Sequence, residues 1–482
     1  GGTEAQKEKW IKKIADSGCL VAYAATEAAA GSDLLHLKTR AERVMEGDKI
    51  VGYRINGGKM WITNGGVAGV YTVLARAPKG VSWFIVERGT PGLVVDKHED
   101  KHGIRASDTT PLAFQDLFVP AENLIGEVEG KGMRQAQAVF GYTRLMVAAL
   151  ALGGGWKALE HAIRYSQVRL VGGQPLSTKQ GFTHKLIVPY AARLEACRAY
   201  VEHVARRIDG GEEGLQTEGA VAKLLASETA NRAADNAIQA FGGNGYVREF
   251  PVEKIKRDIK ITCIYEGTSE ILELTTFRSR WQENLNADGR LYDKAASELD
   301  ALHAKGPEVG AAAAALAQRA LSRVLQACHD RKLTHHQTVM MKLGELIAYA
   351  ETAAVFCKEA AGDALSEAVR FDQETWRAMS RIHARSAAGW VASEGLALVA
   401  GCSDVDSVGL VDALDLRAIA QAQKGMAADM DLGAGKLVSA FPAAPPNRYV
   451  LAVVTDAFTG ATAPGSFTSS AAFGLFDPAP AS

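Results

Sequence analysis

Apolar and polar positions change their rhythm twice along the chain, and each change predicts a different kind of element. Residues 5–15 (AQKEKWIKKIA) read as the last helix of a unit that begins earlier. From about Lys49 to Pro120, short alternating runs are separated by turn residues: YRINGGKMWITNGG, VYTVLARA, VSWFIVERG, GLVVD and LAFQDLFVP. A period of two, broken by Gly, Asn, Asp and Pro, predicts a β-domain. Asn56-Gly57, between YRI and KMWIT, predicts a hairpin there, because both central residues of a type I′ turn need positive φ.

Past Gly132 the period lengthens to that of helices. MRQAQAVFGYTRLMVAALALGG, HKLIVPYAARLEACRAYVEHVARRIDGG and TEGAVAKLLASETANRAADNAIQAFGG each end at paired glycines, as helices needing a left-handed C-terminal residue do. In the second, Leu194, Cys197, Val201, Val204 and Ile208 recur at helical spacing, and Glu202 and Arg206 stand at i,i+4. Pro189 is expected to begin or kink that helix. A further Ala-rich helical block runs from about Tyr292 to Ala440. Residues 441–482, rich in Pro, Ala, Ser, Gly and Thr, predict no element.

The chain has 482 residues, which at about 100–200 residues per domain implies two to four domains. Its 54 Lys plus Arg against 55 Asp plus Glu leave no basic excess, which argues against binding nucleic acid. Six scattered cysteines with no C-x-x-C spacing read as buried thiols in a reducing compartment. The polar N-terminus shows no export signal. The longest apolar stretch, LMVAALAL, is shorter than the ~20 residues that cross a bilayer, so no membrane span is expected.

Three short runs invite chemistry and have plainer readings. HEDKH at His98–His102 matches a zinc protease pattern, but that mechanism needs a helix and the surroundings are strand-like; a charged loop is the better reading. Asp404, Asp406, Gly409 and Asp415 fall at calcium-loop offsets, yet Val408 occupies a ligand position and Asp415 stands where Glu is usual, so a turn is expected. GGNG at Gly242–Gly245 follows a helix, which disfavours a dinucleotide loop. The run Tyr265-Glu266-Gly267-Thr268-Ser269-Glu270 is richer. Thr268 or Ser269 caps a helix starting at EILEL, while Glu266, flanked by Ile264, Tyr265 and Gly267, sits at a loop-to-helix junction where partial desolvation favours a general base.

Five blocks then occur in a fixed order: VAYAATEAAAGSDL (21–34), INGGKMWITNGG (55–66), GIRASDTTPLAFQDLFVPAENLIG (103–126), IQAFGGNGY (238–246) and RDIKITCIYEGTSEI (257–271). Together they resemble the acyl-CoA dehydrogenase family over about residues 1–282. The resemblance implies an α+β fold: an N-terminal helical domain, a middle β-barrel-like domain and a C-terminal four-helix bundle, with FAD held between them and across a subunit boundary. On this chain it implies a remnant of the first domain at 1–19, the middle domain at 20–128, the bundle at 129–283, an all-helical extension at 284–440 and an unassigned tail at 441–482, so that most of the first domain and part of the acyl pocket are missing.

The resemblance further implies that Glu266 is the catalytic base, removing the α-proton of an acyl thioester as the β-hydrogen leaves as hydride to the flavin. Members that place the base on the first bundle helix do so near GYTR, where Gly141, Tyr142 and Thr143 offer no carboxylate. For FAD it implies Tyr23, Ala25 and Thr26 along the ring, Trp61 and Thr63 at its edge, and Thr268 and Glu270 after the base. Arg169, Gln180, Gln239 and Gly243 would grip the neighbouring subunit's FAD, and Ser32 and Arg144 would meet the CoA portion. Departures are Ala28-Ala29 for a Pro-Gly, Gly172 for a Phe, Lys179 for a His and Gly141 for an Asp. The implied partners are an acyl-CoA, electron-transfer flavoprotein and further copies in a homodimer or homotetramer, in a bacterial cytoplasm or a mitochondrial matrix. The extension resembles that of very-long-chain members, with peripheral membrane contact as one role and stabilising a dimer as another. An acyl-CoA oxidase and a non-catalytic scaffold on the same fold are the alternatives.

Overall fold

The computed structural model describes residues 1–362, 371–403 and 408–443. Seven strands make one curled sheet: β1 (Val21–Ala24), β2 (Arg40–Glu46), β3 (Lys49–Thr63), β4 (Val70–Ala77), β5 (Gly80–Glu87), β6 (Leu93–Val95) and β7 (Thr109–Pro120). Their order is β1-β4-β2-β3-β7-β6, with β5 on β4. Alternation buries one face, where Tyr53, Ile55, Tyr71, Phe84, Leu112 and Leu117 form the core. The sheet begins well before Lys49 because β1 is four residues long and β2 (RAERVME) is mostly polar, so neither carries an apolar rhythm.

The expected hairpin at Asn56-Gly57 does not form. β3 runs through it, and the chain reverses instead at Gly47 (φ 57°) and Asp48, where Glu46 pairs with Lys49. Gly57 (φ 143°) lies at a bulge where register against β7 slips, and a Cβ there would stand 2.6 Å from Thr39 Oγ1. The glycine permits close approach rather than a turn.

Helix α1 (Glu4–Ser17) opens on a Thr3/Gln6 capping box, and the Gln6 amide reaches the Glu122 and Leu124 carbonyls at 2.7 and 2.8 Å, which ties it to the sheet. Helix α2 (Gly132–Val168) does not stop at its glycines as expected. A Cβ at Gly155 would lie 2.7 Å from Ala230 Cα and one at Gly154 2.3 Å from Ile259 Cγ2, so these glycines serve helix packing. By length and composition α2 is able to cross a membrane; here it is the central bundle helix, burying Ala148, Ala151, Leu152 and Leu159.

Helix α3 (Val188–Asp209) follows a π-helical turn at Thr183–Ile187, with Pro189 in its first turn as the sequence predicts. Glu202 and Arg206 do not pair: Glu202 binds Arg198 and Arg206 binds Glu359. Helices α4 (Gln216–Phe241), α5 (Pro251–Ile259) and α6 (Ser269–Asn286) complete the bundle. The extension adds α7 (Leu291–Lys305), α8 (Ala311–Asp330), α9 (Gln337–Ala360), α10 (Gln373–Gly401) and, after two short helices, α11 (Met426–Ala440). One apolar core runs without a break from Leu145 on α2 to Phe441, so bundle and extension pack as one body. The cysteines are all free; four are buried as expected, but Cys402 is exposed and Cys19 partly so.

Candidate active site

Glu266 sits where a 3₁₀ turn (Lys260–Cys263) hands over to α6. Its φ is 56°, and that of Gly267 is 96°. A non-glycine residue held in this region costs on the order of 1–3 kcal/mol and persists only where its surroundings over-determine it. Three donors do so. Thr143 Oγ1 donates to Glu266 Oε2 at 2.9 Å, Arg144 Nε to the Glu266 carbonyl at 3.2 Å, and Lys223 Nζ to the Gly267 carbonyl at 2.6 Å. Thr268 is the N-cap of α6, accepting from the Ile271 N–H at 3.4 Å, and Ser269 Oγ binds Glu228 at 2.6 Å. The half-buried carboxylate is thereby aimed and its loop anchored to α2 and α4.

The surrounding charges follow from burial. Burial pushes the Lys223 ammonium down to about 8 and lowers Arg144, which the charge of Glu266 partly opposes. Tyr265 and Tyr23 are raised, first by desolvation and then by the negative charge of Glu266. Tyr23 is on β1, so the charge of the carboxylate is felt at the sheet. Glu270 is held below the usual range by its own backbone N–H and the Thr268 hydroxyl.

On the sheet side, Met60 N donates to the Thr26 carbonyl at 2.9 Å, so the segment after β1 lies against β3. Beneath it, fully buried Lys59 binds the Ala25 carbonyl and Glu27 Oε1, both at 2.9 Å. Tyr23 is 44% and Trp61 55% exposed, and Trp61 has φ 57°. A tryptophan held in left-handed backbone with its ring in water is what a site for a flat aromatic ligand offers, not what an ordinary solvated strand selects. The residues present therefore fit a flavin.

Other expected site residues lie elsewhere. Arg169, Gln239 and Gly243 are exposed at the far end of the bundle, where Tyr165 stacks on Phe241 at 4.1 Å and Asn244 binds the Tyr165 hydroxyl at 3.1 Å. At ~1.5 Å per residue along α2, that end is about 39 Å from Thr143. Gln180 donates to Asp431 of α11 at 3.0 Å. Ser32 stands in an exposed bend. Arg144, by contrast, is beside Glu266: it is 7% exposed, with Phe140 4.8 Å from its guanidinium, and it grips the Glu266 loop. Of the departures, Gly172 (φ 62°) forms the turn of a small exposed hairpin, Lys179 binds Gln174 at 3.2 Å, and Gly141 faces the Leu215 carbonyl at 3.1 Å from any added Cβ, which leaves little room for a larger side chain.

Sequence reasoning missed Lys223, Lys59, Glu27 and the hydroxyl of Thr143. A signal existed for Lys223: a lone cation in the apolar helical run AVAKLLA. HEDKH is irregular, and His98 contacts Asp108 at 3.1 Å. In the calcium-like run, Asp404 and Asp406 lie outside the described residues, while Asp415 caps a short helix by accepting from Ala418 N. Residues 444–482 of the tail also lie outside them.

Family models named acyl-CoA dehydrogenase, middle domain, and acyl-CoA dehydrogenase, C-terminal domain, match residues 22–117 and 130–279. A cyclohex-1-ene-1-carbonyl-CoA dehydrogenase of Geobacter metallireducens is 41% identical over 285 residues, 58% of this chain and 73% of the relative. A short-chain specific acyl-CoA dehydrogenase of Megasphaera elsdenii is 42% identical over 280 residues, 57% of this chain and 71% of its own. A solved acyl-CoA dehydrogenase of Bacillus anthracis, in complex with FAD, superposes with TM-score 0.76 at 24% identity, covering 91% of this chain and 79% of that one; at this identity the likeness speaks for the fold, extension included.

Proposed function

Because the chain belongs to the acyl-CoA dehydrogenase family, oxidoreductases acting on CH–CH groups with FAD as cofactor, we propose that it oxidises an acyl-CoA thioester to the trans-2-enoyl-CoA. The observation that carries this reading is the Glu266 carboxylate, fixed by Thr143 on a left-handed loop that Arg144 and Lys223 hold. An α C–H of a thioester is a weak acid, so its base has to be close, oriented and shielded from water. Glu266 accepts that proton, Thr143 fixes which oxygen points at it, and the Glu266 backbone N–H donates to the thioester carbonyl. FAD supplies the hydride acceptor when bound.

In this reading Tyr23, Ala25, Thr26, Trp61, Thr63, Thr268 and Glu270 hold the near flavin. Arg169, Gln239 and Gly243, far from Glu266, serve the flavin of a second copy together with Gln180, which makes the protein a homo-oligomer. Electrons leave to electron-transfer flavoprotein; a structure of Acidaminococcus fermentans described as electron transferring flavoprotein is 38% identical to this chain over the shared region. Relatives named for a short-chain and for a cyclic acyl group support a CoA thioester as substrate and leave its acyl part to the pocket.

The test is the absorption spectrum of the purified full-length protein. A flavin band that an acyl-CoA bleaches without oxygen is expected, together with Glu266→Gln protein that keeps the band and does not bleach. Protein that binds no flavin would make the scaffold reading the better one, and peroxide formed in air would make it an oxidase.

A further inference from the structure

Lys223 has no place in the proposed proton transfer, yet its position is costly. It is fully buried on α4, and a charged amine there gives up its hydration. A leucine or methionine would fill the same space without that cost. The ammonium does not neutralise one carboxylate; it donates at 2.6 Å to the carbonyl of Gly267, the residue after Glu266. Arg144, from α2, donates to the carbonyl of Glu266 itself at 3.2 Å. Two buried cations from two helices therefore grip two consecutive carbonyls, at the two consecutive positions whose φ values are 56° and 96°.

We propose that Lys223 is a positioning residue for the dehydrogenation: by holding the Gly267 carbonyl it keeps Glu266 in its left-handed conformation, with the carboxylate directed at the α-carbon of the thioester. This rests on reading Glu266 as the base. The groups facing Lys223 are Arg144 on α2, Glu228 on its own helix, Cys263 on the preceding turn, Glu266 on the loop and Glu270 on α6. The acidic members favour its charge; Arg144 and burial oppose it.

The hold is strongest as a charge-assisted hydrogen bond and weaker from a neutral amine. With its proton lost near pH 8, Lys223 grips less above that pH, and the rate falls on the alkaline side. Stability moves the other way. The folded value lies below the unfolded one of ~10.4, so between them the unfolded state binds more protons and this group's contribution to stability rises with pH. A merely structural lysine would change stability and leave the pH profile of the rate alone.

The experiment compares wild type, Lys223→Met and Lys223→Arg in three readouts: anaerobic flavin bleaching by an acyl-CoA across pH 7–10, thermal stability over the same range, and amide hydrogen exchange of residues 264–269. Lys223→Met is expected to keep its flavin, bleach about 10–100-fold more slowly with no alkaline decline, and exchange the loop amides faster. Lys223→Arg, charged throughout, is expected to lose the alkaline decline even if the Met variant does not fold. Unchanged bleaching rate and loop exchange in Lys223→Met, or an alkaline decline that keeps its midpoint in Lys223→Arg, would overturn the proposal. Glu266→Gln measured alongside separates the two claims: if it bleaches like wild type, the base assignment fails, whereas the loop exchange of Lys223→Met still reports on the hold.

Discussion

Glu266 takes its geometry from neighbours that recruit different chemistry: a hydroxyl for the carboxylate and two cations for the backbone. The Thr143 bond to a charged acceptor is of the kind worth about 1.5–3 kcal/mol. Thr143→Val, which keeps the shape, is expected to slow anaerobic bleaching by about tenfold with flavin still bound; an unchanged rate would show that the hydroxyl orients nothing. Beneath the segment after β1 the Glu27–Lys59 pair is a stability element. Burial raises the Glu27 carboxyl, but hydrogen bonds from Lys38 N–H, Lys59 and Thr39 outweigh it and hold it below the usual range. Its folded value being depressed, its contribution is present above the ordinary carboxylate range and lost as pH falls below it. Lys59→Met leaves Glu27 buried without its cation and is expected to cost about 3–5 kcal/mol by denaturant unfolding at pH 7. At this scale the motif singled out Glu266, and a lone cation in an apolar run was the one mark of Lys223, while Lys59 left none. Lysine is ordinarily a surface residue, and only tertiary packing reveals the acceptors that let one be buried.

Elements were legible in kind and misjudged where glycine changes its meaning. Gly57 and Gly153–Gly155 carry the marks of a turn and of a helix end, but the first lies in a bulge and the others lie inside a long helix. Glycine marks either chain reversal or close approach, and the sequence does not say which. The crossing of α2 and α4 is a second close approach: a Cβ at Gly219 would stand 2.5 Å from the Gly141 carbonyl. Gly219→Val is expected to destabilise by about 1–3 kcal/mol and, because Thr143 and Arg144 are on the adjoining turn of α2, to slow bleaching as well. Stability lost with the rate intact would show that the crossing does not set the position of the loop. In the extension, Asp372 caps α10 and binds Lys436 of α11 at 2.7 Å, and these partners hold its carboxyl at about 2. That depressed value means its contribution is in place above ~pH 4 and disappears as pH falls toward 2. Asp372→Asn is expected to abolish this part of the acid sensitivity in thermal unfolding between those limits; an unaltered acid profile would count against it.

The whole molecule is a curled sheet beside a helical body in which bundle and extension share one core. Arg280 of α6 joins them, binding Glu351 of α9 at 2.7 Å and Glu218 of α4 at 3.1 Å. The sequence suggested a boundary near residue 283, since the family resemblance ends there, but a change of resemblance is not a change of packing, and the apolar core passes across it. Bundle and extension are therefore expected to melt in one calorimetric transition, and two resolved helical transitions would contradict this. The central claim is that Glu266 removes the proton next to the thioester carbonyl. It is tested most directly by the exchange of that proton for deuterium when flavin-loaded protein is incubated with an acyl-CoA in deuterium oxide. Wild type is expected to label the α-carbon and Glu266→Gln, still holding its flavin, to leave it unlabelled; equal labelling by both would contradict the account.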